Sequence, residues 1–241
     1  MNWQDWMPVY EEILDDFSFD RASERRAIDA ARQAAALYCP DPGASLELLG
    51  KLTGKEVVVA GNSAKLETDF RALSRAGIIV GRTIMSADGA STRLERLGVR
   101  SGVIVTDMDG SADDEIQQNG RGSMLLLHFH GDNYRRAHSI ASRLRGPCLI
   151  TVQGEPGGGT FNFGGFTDGD RAVLTAESLG AGTVYLAGFD FDHPKEKGKA
   201  AALKIRKLAW AKRIIDGASA RGMKIRFASE YGGTAHVYSE E

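Results

Sequence analysis

The 241-residue chain reads as an α/β protein: a mostly parallel, Rossmann-like sheet with crossover helices, preceded by a small N-terminal helical segment. Three observations predict this. From Lys55 onward, short β-branched runs alternate with helical stretches, the rhythm of parallel strands. Most of the intervening gaps supply the dozen or so residues that a parallel crossover needs. Before Lys55 the composition shifts to Ala, Arg and Glu, strong helix formers, with no comparable strand. The division this suggests is an N-terminal helical segment over 1–50 and an α/β catalytic unit over 51–241.

In chain order, Trp3, Trp6, Met7, Val9, Tyr10, Ile13, Leu14 and Phe17 fall near helical spacing and predict an amphipathic helix packed on the core or on a partner. Its exposed aromatics, Trp3 and Trp6, offer a surface for a homodimer. A second helix runs over 20–37 and stops before Pro40 and Pro42; a short one covers 45–52. This whole segment is expected to be a structural elaboration without chemistry. Strands are predicted over 56–60, 83–87, 102–106, 124–129, 148–152, 183–187 and 224–228. Helices are predicted over 64–76, 91–97, 112–119, 134–144, 171–179 and 199–221. The glycine-rich stretch 153–169 is too long for a plain turn, and such loops are often functional.

Charge and composition narrow the classes. Lys+Arg of 30 against Asp+Glu of 32 leaves a net charge of −2, which argues against a general nucleic-acid surface. No apolar stretch approaches the roughly 20 residues that span a bilayer, and the acidic start lacks a signal peptide's basic and apolar regions. Two cysteines are too few for a disulfide framework; Cys39, before Pro-Asp-Pro, reads as incidental and the compartment as reducing and cytoplasmic.

The functional signal lies where the apolar runs end. Ser86-Ala-Asp88-Gly89, Val105-Thr-Asp107-Met-Asp109-Gly110 and Leu127-His-Phe-His130-Gly-Asp132-Asn133 place acidic residues and glycines on successive strand ends. In an open α/β sheet ligands bind outside those carboxyl ends, so the carboxylates would share one pocket suited to Mg²⁺ and phosphates. Asp107 and Asp109, two apart on an extended backbone, would lean to the same side and grip one cation or the two flanks of a bridging phosphate. Asp109-Gly110 and Asp88-Gly89 also suit ordinary turns, but that does not account for Asp107. Alternation would send His128, His130 and Asp132 to one face; His130 and Asp132 are assigned to the pocket and His128 is left open. At the first strand end, Gly61-Asn62-Ser63 before a helix is either a phosphate contact or a plain Ser63 cap. In the long loop, Phe163 and Phe166 offer flat faces for a ring and Arg171 a planar fork for phosphate. Beyond Asp190 and Asp192, the basic run Lys195, Lys197, Lys199, Lys204, Arg206 and Lys207 could hold nucleotide phosphates.

These motifs, with Gly165-Phe-Thr-Asp168-Gly-Asp170-Arg171-Ala and Ala-Gly188-Phe-Asp190-Phe after them, stand in an order that resembles the archaeal 6-hydroxymethyl-7,8-dihydropterin pyrophosphokinase family, whose fold is related to thiamine pyrophosphokinase. The resemblance runs over about 55–227 and departs at Gly61-Asn-Ser, where a Gly-Pro-Ser-like turn is expected. It implies an enzyme that transfers pyrophosphate from ATP to the pterin's hydroxymethyl group and releases AMP. Mg²⁺ would sit on Asp107 and Asp109, with Asp88 or Asp132 beside it or accepting the alcohol proton. Gly61, Asn62, Ser63, His130, Asn133, Asp168, Arg171, Lys195 and Lys199 would contact the substrates, with the pterin near Phe163 or Phe166 and hydrogen-bonded to Asn133 or Asp168. Thiamine as acceptor, a sugar-nucleotide glycosyltransferase using the Asp107/Asp109 pair, and a nucleotide-binding module without turnover are the competing expectations. The partners implied are small molecules, with neither nucleic acid nor membrane.

Overall fold

A computed structural model describes residues 3–232; Met1, at the head of the acidic start, and residues 233–241 of the predicted catalytic unit lie outside the described residues. Three helices lead: α1 (Trp3–Phe17), α2 (Arg21–Tyr38) and α3 (Pro42–Thr53). Strands and helices then alternate: β1 (Glu56–Ala60), α4 (Leu66–Arg75), β2 (Thr83–Ala87), α5 (Ala90–Arg96), β3 (Val103–Thr106), α6 (Ala112–Gly120), β4 (Met124–Phe129) and α7 (Tyr134–Ala141). The series closes with β5 (Cys148–Val152), α8 (Asp168–Ser178), β6 (Thr183–Ala187), α9 (Lys199–Ala220) and β7 (Lys224–Phe227). All strand pairs are parallel, in the order β5-β4-β3-β2-β1-β6-β7. Every predicted strand is present, within a residue at each end.

Strands β3, β4 and β5 are buried along their whole length, as a parallel sheet covered on both faces requires. One face, through Val57, Val59, Val105, Leu126 and Leu186, packs on α1, α3, α8 and α9. The other is covered by α2 and α7 over Leu125, Leu127 and Ile150, and by α4 and α5 over Val58, Ile84 and Ala187. Trp6 is 1% exposed inside the first of these cores, and Trp3 packs against it. The aromatic face of α1 is therefore packed within the chain, and Trp6 is not the exposed aromatic expected of it.

The start of α8 moves to Asp168 because the Thr167 and Asp170 side chains form a reciprocal capping box. Stretch 153–169 returns to the edge of β5, where Phe161 donates to the Ile150 carbonyl and accepts from Val152, covering an otherwise open strand.

Cys39 and Cys148 form a disulfide across a Cα separation of 6.4 Å, joining the end of α2 to the start of β5. This overturns the reading of Cys39 as incidental, and with it the cysteine argument for a reducing compartment. The pair is 109 residues apart in sequence, so nothing local announces it; the packing of α2 over β5 creates it. No helix among the described residues is long and apolar enough to cross a membrane.

Candidate active site: a carboxylate-lined cleft at the strand ends

A cleft of about 610 Å³ lies outside the carboxyl ends of the strands. It spans the junction of β1 and β6, where β2 continues the sheet on one side of β1 and β6 on the other, the place an open parallel sheet offers a ligand. Gly61 and Gly188 let the two strand ends meet there: a Cβ on Gly61 would stand 2.7 Å from the Gly188 carbonyl oxygen. That closeness has a consequence. Gly61 N–H donates to Ala187, Ser63 N–H to Gly188, and Lys65 N–H to the Ser63 hydroxyl, so these amides are used internally. The helix starts only at Leu66. Gly61, Asn62 and Ser63 line the cleft as expected, but a free helix end is not what they present.

Asp88, directly after β2, and Met108, two residues past β3, have φ of 42° and 64°, left-handed values uncommon away from glycine. Past Thr106 the chain turns: Met108 N–H donates to the Thr106 hydroxyl at 2.8 Å and Asp109 N–H to the Asp107 carboxylate at 3.0 Å. A tight turn, and not the expected extended backbone, brings Asp107 and Asp109 together. Gly110 completes it, since a Cβ there would collide with the Asp88 carboxylate. One oxygen from each of Asp88, Asp107 and Asp109 lies within 4.8 Å of the others.

The electrostatics are those of crowded acids. Burial together with Asp107 and Asp88 raises the Asp109 pKa, and burial with the same two neighbours raises that of Asp168 well above the usual carboxylate value. Asp107 alone is lowered: burial opposes this, but the His130 ring at 3.3 Å and the Asp109 N–H outweigh it. Behind them Glu115, fully buried on α6, is pushed up to about 9 by burial and by Asp88. Carboxylates that raise one another's proton affinity are what a divalent cation relieves, and three hard oxygen donors within reach of one point suit Mg²⁺.

The β4 end departs from its predicted alternation because the strand stops at Phe129. His128 is buried, with Nδ1 at 3.0 Å from the Thr151 hydroxyl and Nε2 at 2.8 Å from Gln153 Oε1. That same oxygen accepts from Arg171 at 3.1 Å, so the His128 Nε2 carries the proton; burial, then Arg171, keeps the ring neutral. His128, His130 and Asp132 thus form no metal triple. Asp132 lines the cleft without joining the three converging carboxylates. Asn133 is a brace: its amide oxygen accepts from His130 N–H, and its nitrogen donates to the Asp107 and His128 carbonyls. This leaves its side chain little to offer a substrate.

Arg171 is buried, donating to Gln153 and the Phe166 carbonyl, with its Nε unpartnered among the described residues. Gly165, at φ 98°, leaves room for the Arg171 backbone, 2.7 Å from where a Cβ would stand. Phe166 lines the cleft, whereas Phe163 stacks on Phe161 and packs against the core, away from it. Among the basic residues Lys195, Lys204 and Lys207 line the cleft. Lys199, the first residue of α9, does not, and Arg206 pairs with Asp16.

Phe19 and Glu24 also line it, so the N-terminal segment forms a cleft wall and is more than an elaboration. Glu24 Oε1 accepts Gly131 N–H at 2.9 Å, and Phe19 stands beside Phe166 with ring centroids 6.3 Å apart. Neither carries a sequence signal: only the packing of α2 against β4, β5 and α7 puts them there.

A family model described as 6-hydroxymethylpterin diphosphokinase MptE-like matches residues 38–196, a span that contains every strand end from β1 to β6. The chain belongs to the MptE-like family. Curated relatives named 6-hydroxymethyl-7,8-dihydropterin pyrophosphokinase agree over nearly their whole length. The one from Methanothermobacter thermautotrophicus is 36% identical over 233 residues, 90% of this chain and 94% of the relative. That from Pyrococcus furiosus is 33% identical, covering 95% and 92%, and that from Methanocaldococcus jannaschii 28%, covering 90% and 95%. As an MptE-like protein the chain is an enzyme, a diphosphotransferase.

Proposed function

We propose that this MptE-like enzyme transfers pyrophosphate from Mg²⁺-ATP to the hydroxymethyl group of 6-hydroxymethyl-7,8-dihydropterin, giving the pterin diphosphate and AMP. The observation that carries this is the convergence of Asp88, Asp107 and Asp109 in a cleft that Lys195, Lys204 and Lys207 also line. The names of the relatives supply the acceptor.

The pterin hydroxyl oxygen forms a bond to the β-phosphorus of ATP while the bond from that phosphorus to the α–β bridging oxygen breaks, and AMP leaves with the electron pair. Such a transfer asks the protein for alignment and charge neutralisation more than for covalent chemistry. Asp107 and Asp109, with Asp88, would hold Mg²⁺, which when bound neutralises phosphate charge and polarises the attacked phosphorus. Lys195, Lys204 and Lys207 draw charge from the remaining phosphate oxygens, and Arg171 adds a buried positive charge. Of Asp88 and Asp132, the two cleft carboxylates considered for the hydroxyl proton, Asp88 stands in the cation-binding set, which gives that role to Asp132. His130 keeps Asp107 ionised at its 3.3 Å contact, in the form that binds a cation.

The test is AMP release from Mg²⁺-ATP with the hydroxymethyl dihydropterin, with thiamine, and with neither. AMP that depends on the pterin is the expected result. AMP with thiamine alone, or silence throughout, would overturn the reading in favour of a thiamine kinase, or of sugar transfer or binding without turnover.

A further inference from the structure

The cleft has two ends of opposite character. Around β1, β6 and α9 it carries flexible cations suited to phosphates. At the other end, where α2 crosses the turn after β4, Asp132 and Arg136 are exposed, but Glu24, His128 and Gln153 are buried and held in place. Glu24 is 8% exposed; its Oε1 accepts Gly131 N–H, while its Oε2 accepts no hydrogen bond among the described residues, and the side chain lines the cleft. This oxygen is open to the cleft, and a ligand presenting N–H groups would find it free to accept. Beside it, Gln153 has its amide oxygen taken by His128 and Arg171, which leaves its NH₂ as the group with hydrogen bonds to give. Phe19 and Phe166 complete this end with an apolar wall.

A hydroxymethylpterin carries a matching edge. Its 2-amino group and ring N3–H are adjacent, parallel donors that a carboxylate accepts as a pair, as it does a guanidinium. The 4-oxo group next to them takes a hydrogen bond from an amide NH₂. This edge lies at the end of the bicycle away from the hydroxymethyl group. Resting on the reaction proposed above, we infer that Glu24 grips the aminopyrimidinone edge of the acceptor, so that the ring lies along Phe19 and Phe166 with its hydroxyl end toward Asp107 and Asp109. The aminopyrimidine of thiamine has a ring-nitrogen lone pair on one side of its amino group and a substituted carbon on the other, so it lacks the second N–H that would complete the pair on a carboxylate, and Glu24 also selects the acceptor.

The test uses the full-length enzyme and compares KM for 6-hydroxymethyl-7,8-dihydropterin, KM for ATP and kcat in the wild type, Glu24→Gln and Glu24→Ala. The same assays are run with the analogue whose 2-amino group is replaced by oxo. The Gln variant keeps an acceptor for Gly131 N–H and guards against a folding defect in the Ala variant. Expected is a rise of about tenfold or more in pterin KM for Glu24→Gln, ATP KM within about twofold, and a collapse of the preference for the amino over the oxo ring. A wild type that uses the pterin while Glu24→Gln keeps both its pterin KM and that preference overturns the inference alone. Equal damage to pterin KM, ATP KM and kcat does so too, since it would mean that Glu24 acts only through the Gly131 turn. A wild type that makes no AMP with the pterin overturns the reaction and the inference together.

Discussion

Asp190, just past β6, and Asp109, just past β3, occupy equivalent places on the same sheet, and their surroundings treat them in opposite ways. Asp190 is 7% exposed and comes with its partners: Lys65 at 2.9 Å, the His193 ring at 3.1 Å and the Asp192 N–H. Burial raises its pKa, but those partners prevail and bring it down to about 2. Asp109 has carboxylates for neighbours, and burial with Asp107 and Asp88 raises its pKa. An acidic strand end is thus structural where the fold supplies the cation, and a site in search of one where the fold supplies more acid.

The sharpest way to break that comparison is to neutralise one member of each set. Asp107→Asn and Asp109→Asn are expected to lower the rate of AMP release by about 100-fold or more, some 3 kcal/mol of transition-state stabilisation. In metal-free buffer, removing charge from a repelling cluster should leave the Asp109→Asn melting temperature unchanged or higher. Normal turnover of both variants at limiting Mg²⁺ would refute the metal assignment. Next in size is the stabilisation by the ion itself. Mg²⁺ at a hundred times its dissociation constant should add about 2.7 kcal/mol to the wild type and to Asp190→Asn, and nothing to the Asp107→Asn/Asp109→Asn double variant. Calorimetry with and without EDTA reads this directly, and an equal shift in all three would put the ion elsewhere.

Gly110→Ala probes how the three carboxylates are held together. The new methyl collides with the Asp88 carboxylate, so denaturant titration should show a loss of about 2 kcal/mol together with a weaker Mg²⁺ response. An unchanged Mg²⁺ response would mean that Asp88 is dispensable to the ion. The smallest effect belongs to the paired acid. Asp190→Asn should cost about 1–2 kcal/mol near neutral pH, because a carboxylate with a folded pKa of about 2 against the ordinary value of 3.8 stabilises the protein above that upper value. Since the folded state holds on to its proton less readily than the unfolded one, this contribution is lost as pH falls through about 2. The stability gap between variant and wild type should therefore narrow from pH 6 to pH 3, and a constant gap would show that Asp190 acts by packing and not by charge.

Much of this architecture could be read without coordinates. Val57-Val-Val, Val103-Ile-Val and Met124-Leu-Leu-Leu are short apolar runs, and the gaps between them are long enough only for crossovers, so strand identity and parallel pairing follow from local pattern. The acidic strand ends were legible for the same reason, since residues just past a parallel strand have one place to go. What failed to show was whatever depends on how the backbone bends after the strand. The left-handed residues of these turns, Asp88 and Met108, are not themselves glycines, His128 and Asp132 part company because β4 stops between them, and Asn133 braces its own loop.

The amino-acid sequence by itself determined the α/β class, the order of the strands along the chain and the presence of an acidic rim, because each of these rests on periodicity and composition within a dozen residues. Tertiary structure alone decided which acids converge and which are paired, that Cys39 meets Cys148, and that Phe19 and Glu24 wall the cleft. Those outcomes depend on helices laid across the sheet from far along the chain, and the energy of such packing is shared by surfaces that no local pattern describes.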